Sequence, residues 1–192
     1  MSHIKDRIRH WAVAHAHHPS AVWILGIVAF CESSFFPIPV DTFIVALVIL
    51  NRKKWLLFGM VATVMSVLGG IAGYLVGWYL FDTVGVWLVE TYQVQSQLAI
   101  VQGLYADNVF LTAFTSAFTF IPYKVFTLAG GAFKVSFIPF VVASILGRGI
   151  RFMVEAYLMH RFGEHVGRAV YKWFSVLIGV VIVAAVAAII IL

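Results

Sequence analysis

Glu32, Asp41, Lys124, Arg148, Arg151 and Glu155 all fall inside long apolar runs of this sequence. Three are acidic and three basic, so their formal charges sum to zero. An unpaired charge at the centre of a bilayer costs at least about 2.5–3.5 kcal/mol, and such residues usually face a bundle interior or water. These six are therefore expected to meet one another or to line a wet cavity. Arg148, Arg151 and Glu155 stand at i, i+3 and i+7, one face of a helix, and Arg151 can pair with Glu155 one turn on. Glu32 precedes and Asp41 follows two prolines, Pro37 and Pro39, so both acids can point inward from a broken helix. Guanidinium groups hold phosphate through paired hydrogen bonds, and carboxylates beside them can bind and release protons. The direction in which those acids are tuned stays open, because a neighbouring arginine lowers proton affinity while burial raises it. The plainer alternative is an ion network that only fixes the packing. Against it, apolar residues often replace a buried ion pair without loss of stability.

The frame that must position these groups is a membrane protein. Of 192 residues, 62% are hydrophobic and 11% charged, against about 45–50% and about 25% in soluble domains. Apolar runs at 21–50, 55–81, 108–133, 137–159 and 173–192 each reach the length of about 17–25 residues that spans a bilayer as helix. A single membrane domain over 1–192 is expected, without a signal peptide. Residues 1–18 read as an amphipathic helix on the membrane surface, with Ile4, Ile8, Trp11 and Ala12 on one face. The histidines there show no fixed ligand spacing, so neither metal nor cofactor is expected. The single Cys31 excludes an intrachain disulfide. The net charge of +5 sits mostly at segment ends, which suits lipid headgroups and not nucleic acid.

Two of the runs are interrupted. In "FCESSFFPIPVDTF" (30–43) proline removes an amide donor and pushes its predecessor out of the helix, leaving two short halves around a joint at Pro37 and Pro39. Lys5, Arg7 and Arg9 precede this run and Arg52, Lys53 and Lys54 follow it. Cytoplasmic segments carry the Lys/Arg excess, so both ends should be inside and the run a re-entrant hairpin. Residues 82–107 hold Asp82, Glu90 and Asp107 but no Lys or Arg, and should lie outside, with a short amphipathic helix in "QVQSQLAIVQGLY". The second interrupted run, 109–133, breaks at Pro122; Lys134 is the one basic residue on the wrong side of this topology. "FFPIPVDTF" (35–43) aligns with "FTFIPYKVF" (118–126), placing Pro39 on Pro122 and Asp41 opposite Lys124. "GGIAGYLVGWYL" (69–80) aligns with "GRGIRFMVEAYL" (147–158). The units 28–81 and 109–159 thus form a repeat of opposite orientation, a construction common among secondary transporters. Gly69, Gly73 and Gly77 make a small-residue stripe that serves an internal contact or a homo-oligomer equally well.

With "ESSFFPIPVD" (32–41), "FIPYKVFTLAGGAF" (120–133) and "ASILGRGIRF" (143–152), the chain resembles the DedA superfamily, also called the VTT-domain or SNARE-associated Golgi protein superfamily, and its small YqaA-like bacterial branch. The resemblance runs over about residues 20–160. It implies two facing re-entrant hairpins in a bacterial inner membrane, and lipid flipping or scrambling, including of polyprenyl-phosphate carriers. Glu32 and Asp41 match its first-hairpin acids, and Arg148 and Arg151 its arginines after the second hairpin. Lys124 departs from the arginine-containing motif of the carrier-lipid members, so the resemblance leaves the substrate open.

The expected fold is therefore an all-α membrane protein: two inverted re-entrant hairpins among about three long transmembrane helices, the last at 173–192, with the N-terminus cytoplasmic. The expected function is movement of an anionic phospholipid or polyprenyl-phosphate across the membrane. Arg148 and Arg151 would hold phosphate, Glu32 and Asp41 would act as proton-coupled gates, and Lys124 as an opposing gate or the partner of Asp41. A small-ion or proton antiporter, and an assembly factor that only binds other membrane proteins, are the alternatives. An enzyme is not expected: no nucleophile stands beside a base, and Ser33 and Ser34 read as helix-to-helix hydrogen-bonding groups.

Overall fold

The structure, a computed structural model, describes residues 19–34, 39–81, 85, 95–119 and 122–163. The expected surface helix at 1–18, the joint residue Pro37, and the expected span at 173–192 lie outside the described residues. Seven α-helices and one short 3-10 turn are described, and no strand is found among those residues. They are α1 (Pro19–Ser34), α2 (Val40–Leu50), the turn Arg52–Lys54, α3 (Trp55–Leu80), α4 (Gln95–Asp107), α5 (Val109–Phe118), α6 (Tyr123–Ala132) and α7 (Phe137–Gly163).

Length divides these helices into two kinds. At about 1.5 Å per residue, α1 and α2 reach about 24 and about 17 Å, and α5 and α6 about 15 Å each, all short of the hydrocarbon thickness of about 30 Å. Among the described residues, only α3 and α7 are long and apolar enough to cross a membrane. Their outer faces carry exposed Met60, Val64, Leu68, Val142, Ile145 and Ile150. Such a surface suits lipid, whose tails compete with no polar partner.

Proline sets both breaks in the same way. Pro39 and Pro122 are extended (φ −72°, ψ 97° and φ −61°, ψ 95°) and each caps the helix that follows. Neither needs the amide it lacks, since the first turn of a helix leaves its donors unpaired. Asn108 starts α5 by accepting the Leu111 amide at 2.8 Å. The end of α6 is closed by Lys134 in the left-handed region (φ 51°), with Lys134 N–H donating to Gly131 O and Val135 N–H to Gly130 O. Lys134 also lies over the Trp78 ring at 5.8 Å, so the residue that broke the charge pattern is held as a helix terminator.

Glycine lets the helices meet backbone to backbone. A Cβ at Gly69 would strike the Phe30 carbonyl of α1, and one at Gly77 the Leu128 carbonyl of α6. In return, a Cβ at Gly131 would strike the Tyr74 carbonyl of α3. The stripe on α3 thus serves internal contacts, and "LAGG" is a close-packing element. Gly147 sits on Ala117 and Phe114 of α5, while Phe152, Ala156 and Met159 of α7 share a core with Val40, Ile44 and Val48 of α2. Each long helix packs on the short helix at the start of its own run and on the second short helix of the other. Gly59 meets Ala156 and Thr63 meets Gly149, so α3 and α7 cross antiparallel.

Two apolar cores result, one around Leu25, Ile44, Phe58 and Phe152 and one around Tyr74, Tyr105, Phe140 and Ala143. Between them, near the middle of both long helices, lies a polar layer.

Candidate functional site

Arg148 occupies the centre of that layer, with only 1% of its side chain exposed. Its Nη2 donates to Glu32 Oε2 at 2.6 Å and to Ser33 Oγ at 3.0 Å. Ser33 in turn bonds Ser66 of α3 at 2.6 Å, and Ser34 donates to Gly69 O at 3.0 Å. The guanidinium lies 4.5 Å from the Tyr123 ring centre and 5.2 Å from that of Phe152, so aromatic π-faces add to the ion pair. Arg148 Nε and the Tyr123 hydroxyl have no hydrogen-bond partner among the described residues. Arg148 therefore ties α7 to α1, α3 and α6 at one point.

Arg151, one turn on, is placed differently. Its fork takes Asp41 of α2 through Nη2 at 2.7 and 3.0 Å and through Nε at 3.3 Å. Its Nη1 donates to the Thr119 carbonyl at 2.6 Å, where α5 ends. Arg151 and Asp41 keep 13% and 23% of their side chains exposed. The fork thus spans the start of one broken run's second half and the end of the other's first. Glu155, a further turn on, adjoins Asp41 and Arg151, and its Oε2 is buried without a hydrogen-bond partner among the described residues.

Five of the six expected residues therefore converge: Glu32, Asp41, Arg148, Arg151 and Glu155. Lys124 as the partner of Asp41 is the correction. Asp41 takes Arg151, and Lys124 forms no described ion pair with it. The repeat aligned Asp41 with Lys124, but residues related by internal symmetry occupy equivalent places in different units and need not touch. Pro39 and Pro122 start α2 and α6 as joints should. Ser33 and Ser34 do bridge helices as read, with Ser33 also accepting from Arg148. Tyr123 and the Thr119 carbonyl were missed. The signal for Tyr123 was a large ring one turn before Thr127, the two lying against the small residues Gly70 and Gly73 respectively. No side-chain pattern announces a carbonyl freed by a helix break.

Chemically, the layer offers two guanidinium forks, each already holding a carboxylate. An anion entering it competes with an acid that the protein itself supplies. Arg148 is shut in by rings and hydroxyls, whereas the Arg151 pair is the more accessible of the two.

A family model for the VTT domain matches residues 38–161, well over half of the chain. An uncharacterized protein of Haemophilus influenzae is 33% identical over 183 residues, covering 95% of this chain and 93% of the relative. An uncharacterized protein of Histophilus somni is 27% identical over 154 residues, covering 80% and 78%. No solved structure matches. The matched region contains Asp41, the second broken run and both arginines, and the chain belongs to the VTT-domain (DedA) family of membrane proteins.

Proposed function

We propose that this protein moves a lipid with an anionic headgroup, a phospholipid or a polyprenyl-phosphate, across a bacterial inner membrane. The observation that carries this reading is the Arg151 fork, held by Asp41 of α2 and the Thr119 carbonyl of α5 near the middle of the long helices. A phosphate there takes the hydrogen bonds that Asp41 now accepts from the Arg151 fork. Arg148 anchors the helices through Glu32 and Ser33, and Arg151 is the group that exchanges partners. The broken runs are re-entrant hairpins in this reading, because none of their halves is long enough to cross alone. The N-terminus is cytoplasmic, and protons accompany the headgroup through the carboxylates.

The test is reconstitution in proteoliposomes with fluorescent anionic lipid. Arg151→Ala, shown to be folded and inserted, should move lipid about tenfold or more slowly than wild type, as loss of a charge-assisted bond of about 1.5–3 kcal/mol implies. Equal rates would end the proposal. Ion flux without lipid movement would point instead to an antiporter. Absence of any transport, with one stable copurifying membrane protein, would point to an assembly factor.

A further inference from the structure

Glu155 is the acid of the site with a buried oxygen, Oε2, that has no hydrogen-bond partner among the described residues. It stands one turn beyond Arg151 on α7, flanked by Phe152 and Ala156, which pack on α2. The charged groups facing it are Asp41 from α2 and Arg151 from its own helix. Asp41 already accepts from the Arg151 fork with both of its oxygens. Two carboxylates around one guanidinium leave one negative charge in excess, beside a buried Glu155 oxygen that has no hydrogen-bond partner among the described residues. Adjoining carboxyls cannot both stay ionised cheaply away from water, and one proton between them removes the excess charge and supplies the missing donor. Glu32 lacks this arrangement: it faces Arg148 and Ser33, one cation and one hydroxyl.

We infer that Asp41 and Glu155 are a carboxyl pair holding one proton between them beside Arg151. The proton itself stands on this geometry alone; its use rests on the translocation reading above. With the pair singly protonated, Arg151, Asp41 and Glu155 sum to zero. A headgroup anion on Arg151 adds one negative charge, and a second proton on the pair restores neutrality. Headgroup entry therefore draws in one proton, and departure releases it.

The proton is read by infrared difference spectroscopy of the purified protein in lipid nanodiscs at neutral pH. Wild type should show the C=O stretch of a protonated carboxyl. The band should vanish in Glu155→Gln, where Asp41 alone faces Arg151, and also in Asp41→Asn, where Glu155 becomes the sole counter-ion and ionises. It should persist in Glu32→Gln. Loss on removal of either acid is the mark of sharing, which a purely structural role would not produce. No band in wild type, or a band that survives Glu155→Gln, overturns the inference. Lipid translocation is measured on the same preparations: the expected band without lipid movement sinks the translocation reading and leaves the carboxyl pair standing.

Discussion

Arg148 and Arg151 are one turn apart and chemically identical, yet their surroundings give them different energetics. Arg148 is enclosed, and removing either partner of a buried pair leaves an uncompensated charge, at a cost of about 3–5 kcal/mol. Arg148→Met alone and Glu32→Met alone should each lower stability by about that much in chemical unfolding in detergent. The double substitution should recover most of the loss, since matched apolar groups often replace a buried pair at little cost. Arg151→Ala should cost less, because its guanidinium is partly exposed where that of Arg148 is enclosed; its defect should appear in transport. The charges themselves were legible as residues needing partners, and the i, i+3, i+7 spacing put two arginines and Glu155 on one face. Which acid met which arginine was not legible. That depends on how α1 and α2 rotate against α7, which sequence spacing within α7 does not set.

At the scale of elements, the close approach of α3 to α1 and α6 is set by the absence of Cβ atoms. Gly77→Ala and Gly131→Ala place a methyl against facing backbone, where no side chain can move aside. Each should lower thermal stability markedly and shift the protein towards aggregates on size exclusion. Gly103→Ala on α4 meets nothing within 4 Å and should leave stability equal or raise it by up to about 1 kcal/mol through helix propensity. The proline breaks were readable because proline forbids the helical hydrogen bond wherever it stands. The glycine stripe was readable as a contact surface but not as to its occupant. An internal helix and a second copy place the same demand on it, and only the fold shows α1 and α6 there.

For the whole molecule, the ends of the helices bear on orientation. The Arg52 carbonyl lies 2.9 Å from His160 Nδ1, and the Arg52 guanidinium lies against Gly163. The basic turn after α2 and the end of α7 are thus at the same end of the bundle. Both arise where the sequence turns basic, and that end should face the cytoplasm. Lys53 is the exposed probe there, Arg52 being engaged. In a Cys31→Ser background, Lys53→Cys should react with an impermeant thiol reagent only in inside-out vesicles. Labelling in intact spheroplasts would reverse the topology and remove the hairpin reading of the first broken run.

The sequence by itself determined the solvent, the breaks and the need for pairing. Hydrophobic run length, proline chemistry and the cost of bare charge in hydrocarbon are local or additive properties, and each can be read one segment at a time. The tertiary structure decided the pairing of Arg148 with Glu32 and Arg151 with Asp41, the displacement of Lys124 from that role, and the adjacency of Asp41 to Glu155. The Asp41 contacts depend on α7 packing against α2, the second short helix of the other run, and the Glu32 contact on Arg148 reaching α1. Both join residues more than 100 positions apart, and helix periodicity carries no phase information over such a distance.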